Sequence, residues 1–303
     1  MAYFLAIDGG GTKTECVIGD ERSVLGWAIG STIKIKKVGT ECAAEALRLT
    51  IDDACTQASI APGQLSRTCI GLAGSSISEV SQWTRATLQQ LVSGEVILVN
   101  DTMIAHHAAF GGGPGVLVIA GTGSNVLGIN DRGESARAGG WGPIISDEGS
   151  GFWIGRTAVS QSMRARDAGR PTELLNAIIA AWQLHTVEEV VAMANSNPPP
   201  DFAALLPAVL QCADAGDALA REILSSAANE LAQLARIVVR KLWNPGERIH
   251  IALTGGVFAH STQIRQMFSN AIRAERTGIE VNLEPVHPVM GALAMARKHS
   301  GTP

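Results

Sequence analysis

Leu5-Ala6-Ile7-Asp8-Gly9-Gly10-Gly11-Thr12 returns later in the chain as Leu117-Val118-Ile119-Ala120-Gly121-Thr122-Gly123-Ser124. Each stretch is an apolar run, a glycine-rich turn that closes on a hydroxyl residue, and a second run. The second runs end in Gly19-Asp20 and Asn130-Asp131. A short apolar run bounded by turn residues reads as a buried strand. Used twice at this separation, the unit points to two halves of related design.

Working outward from the first copy, Tyr3 to Asp8, Glu15 to Gly19 and Val24 to Ile29 read as three successive strands. A helical period follows from Glu41 to about Ser59, then a strand at Thr68 to Leu72, a helix at Glu79 to about Leu91 and a strand at Glu95 to Val99. Strands alternating with helices imply a covered α/β sheet, here entered through an antiparallel meander. Beyond Gly155 the pattern turns helical, with candidates at Trp153 to Arg166, Thr172 to Trp182, Phe202 to Asp214 and Ala218 to Leu242. A last α/β stretch holds strands at Ile249 to Thr254 and Ile279 to Leu283, and helices at Ser261 to Ala274 and Val289 to Lys298. The expected division is an N-terminal lobe over 1–115, with a C-terminal helix at 288–303 packing back on it. A second lobe with a helical insertion covers 116–287.

Composition removes several classes of function. The 303 residues carry a net charge of −4, against the basic surface that phosphate-backbone binding requires. Aromatics make up 4% of the chain, too few for a base-stacking platform. No nucleic-acid partner is expected. The longest apolar run, Gly115 to Gly121, is too short to span a bilayer, and no basic-then-apolar leader is read at the N-terminus. The five cysteines show no C-x-x-C spacing, which fits a reduced, cytoplasmic protein without disulfides or zinc.

Candidate chemistry clusters at the glycine turns. In Asp8 to Thr12 the glycines permit positive φ and let backbone N–H groups approach phosphate oxygens. Thr12 adds a hydroxyl, and Asp8 can hold magnesium through water. The motif is neither the P-loop nor the dinucleotide fingerprint, and a hairpin with no ligand is the competing reading. Two facing turns, however, can grip a polyphosphate from both sides.

Asn100-Asp101 ends a strand and opens a helix, at the crevice beyond the strand ends where open α/β sheets bind ligands. Asp101 can serve as a general base, and it is equally suited to capping the helix. His106 and His107, adjacent on that helix, point in different directions and are not expected to bind metal. Gly139-Gly140-Trp141-Gly142 presents an indole framed by glycines, suited to a sugar face. Asp147 in Ser146-Asp147-Glu148-Gly149-Ser150 can accept hydroxyl hydrogen bonds or cap the following helix. Thr254-Gly255-Gly256-Val257 repeats the strand–glycine–helix logic, with a base or ribose as its expected guest.

Taken in order, Asp8-Gly-Gly-Gly-Thr12, Asn100-Asp101, Gly121-Thr-Gly-Ser124-Asn125, Gly139-Gly-Trp-Gly142, Asp147-Glu-Gly-Ser150 and Thr254-Gly-Gly-Val257 resemble the N-acetylglucosamine kinase family. That family sits with the benzoyl-CoA reductase activator ATPases in the actin–hexokinase superfamily. The resemblance runs from about residue 3 to the helix carrying Gly291-Ala292. It implies two ribonuclease-H-like, actin-like ATPase lobes around a central cleft that take ATP, Mg2+ and an amino sugar. By resemblance Asp8, Gly10, Gly11, Thr12, Lys13, Gly121, Thr122, Gly123, Gly255 and Gly256 fall to ATP, with Asp8 nearest the metal. Asp101 falls to the catalytic base, and Lys34, Asp101, Ser124, Asn125, Gly140, Trp141, Gly142 and Asp147 to the sugar. A homodimer is expected from family likeness alone.

One position departs from that family. An Asn that commonly contacts the sugar is replaced here by Lys34, within Ile33-Lys34-Ile35-Lys36-Lys37. The alternation reads as an edge strand whose lysines discourage aggregation. The sharper alternative is a lysine that favours an anionic sugar such as N-acetylmuramic acid.

The expected activity is ATP-dependent phosphorylation of N-acetylglucosamine or glucosamine at the 6-hydroxyl. Alternatives are an acidic amino sugar as substrate, or an ATPase activator holding a [4Fe–4S] cluster on cysteines. A sugar-sensing regulator would need a DNA-binding domain, for which the sequence before the first strand leaves no room.

Overall fold

The computed structural model describes residues 2–75 and 77–298. It divides into two compact units, Met1–Gly113 with Val286–Pro303, and Pro114–Pro285.

Unit 1 opens with an antiparallel meander of β1 (Tyr3–Gly9), β2 (Lys13–Gly19) and β3 (Val24–Ser31). The short α1 (Ile35–Val38) and α2 (Thr40–Gln57) lead to β4 (Leu65–Leu72), which lies parallel to β1. Then α3 (Ser78–Leu91), β5 (Glu95–Val99), parallel to β4, and α4 (Asp101–Phe110) complete the sequence. The sheet order is β3-β2-β1-β4-β5.

The interior of β1 is buried on both faces, which is why it reads as a continuous apolar run. Leu5 and Ile7 pack with Cys16 and Ile18 against Leu47 and Ile51 of α2. Phe4 and Ala6 pack on the other side with Val17 and Ile104 of α4. The carboxyl ends of β1, β4 and β5 share one end of the sheet. Asp8 and Asp101 are set there by their places at the end of β1 and just after β5.

Unit 2 repeats the plan. β6 (Gly115–Ala120), β7 (Ser124–Ile129) and β8 (Ser135–Gly139) form the meander. The helices α5 (Gly151–Asp167), α6 (Leu174–Ala181), α7 (Val187–Ala194), α8 (Leu206–Asp214) and α9 (Ala218–Leu242) follow. Then β9 (Ile249–Thr254), α10 (Gly256–His260), α11 (Thr262–Arg273) and β10 (Ile279–Val281) close the unit. Its order, β10-β9-β6-β7-β8, is that of unit 1 read from the other edge: an antiparallel meander whose first strand carries two parallel neighbours. Each unit is therefore ribonuclease-H-like, and the repeated strand–turn–strand stretch is the central hairpin of each sheet. No single helix among the described residues is long and apolar enough to cross a membrane; the buried face of α9 instead forms the middle of the unit 2 core.

The chain ends in α12 (Pro288–Arg297), which belongs to unit 1. Val289, Ala292, Leu293 and Ala296 join the core that holds Ile104 of α4. A Cβ on Gly291 would lie 1.9 Å from the Ile104 carbonyl oxygen, so only glycine permits this helix crossing.

Two local readings are corrected. Residues 33–37 are not an edge strand. β3 ends at Ser31, Thr32 Oγ1 donates to the Gly10 carbonyl at 2.8 Å, and Ile33 is buried beside Gly9, so the chain leaves the sheet and Lys34 becomes the N-cap residue of α1. Phe202 to Asp214 is a 3-10 turn, Phe202–Leu205, followed by α8, because Pro207 suits a helix start and not an interior. The structure adds β8 and α7 to the elements expected from the sequence, and the start of α7 is marked by a capping box of Thr186 and Glu189.

Candidate active site

In unit 1 the hairpin β1–β2 closes with Gly10 N donating to the Lys13 carbonyl at 3.0 Å. Neither Gly9 nor Gly10 has positive φ, contrary to the reason the sequence suggested for them. Space is the reason. A Cβ on Gly9 would sit 2.6 Å from Leu72 Cδ1, and one on Gly10 would sit 2.9 Å from the Lys13 carbonyl. Thr12 and Lys13 at the tip are exposed.

Asp8 faces Glu15 across the hairpin in direct register. Burial raises its pKa to about 7, the charges of Asp101 and Glu15 add to that, and Lys13 opposes it. Three carboxylates thus gather at this end of the sheet, with the Lys13 ammonium ion-paired to Glu15. Glu15 was missed in the sequence; its signal is a charged residue inside an otherwise buried strand.

Asp101 is the first residue of α4 and not its cap. Asn100 caps, its Oδ1 accepting from Thr102 N at 3.0 Å and from Thr102 Oγ1 at 2.7 Å. Asp101 Oδ1 also accepts from Thr102 N, at 2.9 Å, and the carboxylate sits where the helix dipole favours negative charge. His106 is buried against Phe110 and His107 is half-buried, so the two do point apart.

Among the described residues no group of three or more His, Cys, Asp or Glu side chains is arranged to hold a metal. Mg2+ does not require one, since it keeps several waters and takes one or two carboxylates plus phosphate oxygens. Asp8 fits that donor chemistry: it is a carboxylate crowded by like charge, which a divalent cation would relieve.

Lys34 is exposed, and its backbone N–H donates to Thr32 Oγ1 at 3.2 Å. The same hydroxyl holds the Gly10 carbonyl, so the lysine segment is anchored to the glycine turn.

In unit 2 the second hairpin closes with Gly121 N donating to the Gly123 carbonyl at 2.9 Å. The start of α5 rests on it, with Gly151 N donating to the Gly121 carbonyl at 2.8 Å. Ser124 is buried; its N–H donates to Asp147 Oδ1 at 3.3 Å and its hydroxyl to the Glu148 carbonyl at 2.7 Å. Asp147 is buried at φ +68°, a region that non-glycine residues seldom enter. It does not cap α5; Ser150 does. Gly123 makes room for it, because a Cβ there would lie 2.9 Å from Asp147 Oδ2.

Asn125 Oδ1 is buried with no hydrogen-bond partner among the described residues, an acceptor suited to a ligand hydroxyl. Gly140 lies directly over it, its absent Cβ 3.2 Å from Asn125 Cγ. Trp141 is 74% exposed, an apolar side chain presented on the surface of unit 2. Gly255, at φ +101°, brings the turn between β9 and α10 against the Gly121 turn; a Cβ would lie 2.4 Å from the Ala120 carbonyl. Unit 2 therefore brings Gly121 to Asn125, Gly140, Asp147 and Gly255 into one neighbourhood, as unit 1 does for Asp8 to Glu15 and Asp101.

A cavity of about 610 Å³ between α6, α8 and the start of α9 holds none of these residues. Its Asp217 already accepts from the Thr172 hydroxyl and from the Glu173 and Ala220 amides, which makes this a structural junction.

Two ribonuclease-H-like units, each with a glycine-rich hairpin turn beside a carboxylate, are the plan of an actin-like ATPase. The chain belongs to the BadF/BadG/BcrA/BcrD ATPase family, which it matches over residues 5–296. It is 29% identical over 302 residues to the N-acetylmuramic acid/N-acetylglucosamine kinase of Clostridium acetobutylicum, covering 98% of this chain and 99% of that one. It is also 29% identical to the N-acetyl-D-glucosamine kinase of Dictyostelium discoideum, with 97% of each chain covered. In fold it is similar to a ROK family glucokinase from Streptomyces griseus, at TM-score 0.60 and 16% identity, covering 98% of this chain and 99% of the other.

Proposed function

We propose that the protein transfers the γ-phosphoryl group of ATP to the 6-hydroxyl of N-acetylglucosamine or glucosamine. The amino-sugar kinases among its near full-length relatives support the reaction class. The observation that carries the reading is the placement of Asp8 and Asp101 beside the glycine turn at one end of the unit 1 sheet.

Phosphoryl transfer asks a protein chiefly for positioning and charge neutralisation. The turn at Gly10, Gly11 and Thr12, with Lys13, is assigned to the phosphates; in unit 2 Gly121, Thr122 and Gly123 take the same role, and Gly255 and Gly256 the nucleoside side. Ser124, Asn125, Gly140, Trp141, Gly142 and Asp147 are assigned to the sugar. Asp101 accepts the proton of the 6-hydroxyl as its oxygen bonds to the γ-phosphorus and ADP departs. Asp8 would hold Mg2+ through water, and the ion would supply positive charge at the phosphate oxygens.

The test is ADP release over a panel of amino sugars, with Asp101→Asn as control. Sugar-dependent release, lowered by at least about 10²-fold in the variant, is expected for a lost general base. Release that ignores sugar and survives the substitution would refute the reading.

A second substrate reading rests on Lys34. Lys34, Lys36 and Lys37 are all exposed, none has an ion-pair partner among the described residues, and the segment is tied to the phosphate turn through Thr32. An anionic amino sugar suits that charge. Lys34→Asn then raises KM for an acidic amino sugar while sparing the neutral one; equal effects on both would dismiss the idea. The iron–sulfur activator reading is disfavoured because four of the five cysteines are buried, leaving Cys42 exposed on α2.

A further inference from the structure

Strand β2 holds a charged residue for which the proposed reaction has no use. Its side chains alternate across the sheet: Cys16 and Ile18 face the α2 side, while Lys13, Glu15 and Val17 share the face covered by α4 and α12. Glu15 is 9% exposed and lies directly opposite Asp8. Like charges across an antiparallel pair repel, and Asp101 adds a third negative charge near Asp8. A strand selected for stability alone would carry an apolar residue here, as it does two residues on at Val17. Departures from local rules of this kind concentrate at functional sites.

Lys13 is what Glu15 holds. The lysine stands at the foot of the glycine turn, its side chain 58% exposed, and its ammonium is ion-paired to Glu15. A lysine on a flexible four-carbon stem needs a partner to keep one position. Asp8, one strand away, also feels the charge of Lys13. By taking the ammonium, Glu15 leaves the Asp8 carboxylate open to a cation and keeps Lys13 at the mouth of the turn. We propose that Glu15 is a positioning residue, which fixes the Lys13 ammonium where the nucleotide's phosphate oxygens arrive. The inference rests on reading Gly10 to Thr12 as the phosphate turn.

The test compares binding of Mg-ATP and of adenosine by calorimetry for the wild type, Glu15→Gln, Lys13→Met and the double variant, with thermal melts of each nucleotide-free protein. Glu15→Gln is expected to weaken Mg-ATP binding about tenfold and to leave adenosine unchanged. Because it removes a charge facing Asp8, its melting temperature stays level or rises. Lys13→Met should weaken Mg-ATP to a similar extent, and the double variant should lose little more, as expected for groups acting through one contact. Glu15→Asp, which keeps the charge but withdraws it by one methylene, should weaken Mg-ATP binding as well. A Glu15→Gln protein that melts lower or fails to fold, or that binds Mg-ATP as the wild type does, reduces the pair to a structural ion pair and overturns the proposal. So do losses that add fully in the double variant. If the wild type itself binds Mg-ATP no tighter than adenosine, the phosphate turn falls first and takes the inference with it.

Discussion

A single methyl group at Gly291 tests how Asp101 is held in place. The Cβ of Gly291→Ala would lie 1.9 Å from the Ile104 carbonyl oxygen and 2.6 Å from the Ala108 nitrogen. Both are backbone atoms of α4, so no side chain can swing aside. Restoring ordinary contact requires α12 and α4 to separate by more than about 1 Å, which loosens Val289, Ala292 and Leu293 against Ile104. Overpacking of this kind costs about 1–3 kcal/mol, and a clash with rigid backbone belongs at the upper end. About 3 kcal/mol corresponds to a fall in melting temperature of roughly 6–12 °C. Asp101 sits at the N-terminus of the helix that must move, and a shift of about 1 Å in a reacting group costs on the order of 10²-fold in rate. Differential scanning fluorimetry and the sugar-dependent ADP-release assay read the two effects. A variant with unaltered melting temperature and turnover would refute the claim that this crossing is tight. A lower melting temperature with full turnover would show that α12 does not set the position of Asp101.

Two further predictions follow from the geometry. The folded-state pKa of Asp8, about 7, lies above its unfolded value of 3.8, so the folded protein holds the proton more tightly. Stability is therefore lost as pH rises from about 4 to about 7, and the loss persists above that. Asp8→Asn should gain melting temperature over the metal-free wild type across that window, and the gap should level off above pH 7; a gap independent of pH would contradict the assignment. Gly255→Ala places a Cβ 2.4 Å from the Ala120 carbonyl at a φ of +101°, so it must part the two glycine turns of unit 2. Calorimetry should show weaker nucleotide binding with the sugar site spared, and unchanged nucleotide affinity would remove Gly255 from that role.

The parts legible in the sequence are those fixed by neighbours along the chain. Apolar runs closing on glycine turns gave both central hairpins, and their repetition anticipated two sheets of one topology. What was hidden depended on distant partners. Residues 33–37 fit either a strand or a helix start, and the decision came from the Thr32 bond to Gly10, far away in the chain. Glu15 marks only the start of a strand in the sequence, and it is the register that sets it opposite Asp8. The glycines of the first turn look alike whether they serve φ or space, and only packing against Leu72 and Ile33 shows that space is at stake.

The two carboxylates read from sequence as possible caps show what such a reading lacks. Asn100 and Asp101 are equally good capping residues, as are Asp147 and Ser150, and sequence cannot divide the work within either pair. In both units the neutral residue takes the cap: Asn100 on α4 and Ser150 on α5. A carboxylate that satisfies helix N–H groups by itself is held in its charged form and becomes a poorer proton acceptor. Asn100 shares the Thr102 N–H with Asp101, so the helix start does not depend on Asp101 alone. Replacing Asp101 by Asn therefore leaves α4 capped, and a loss of turnover in that variant reports on proton transfer and not on an unravelled helix.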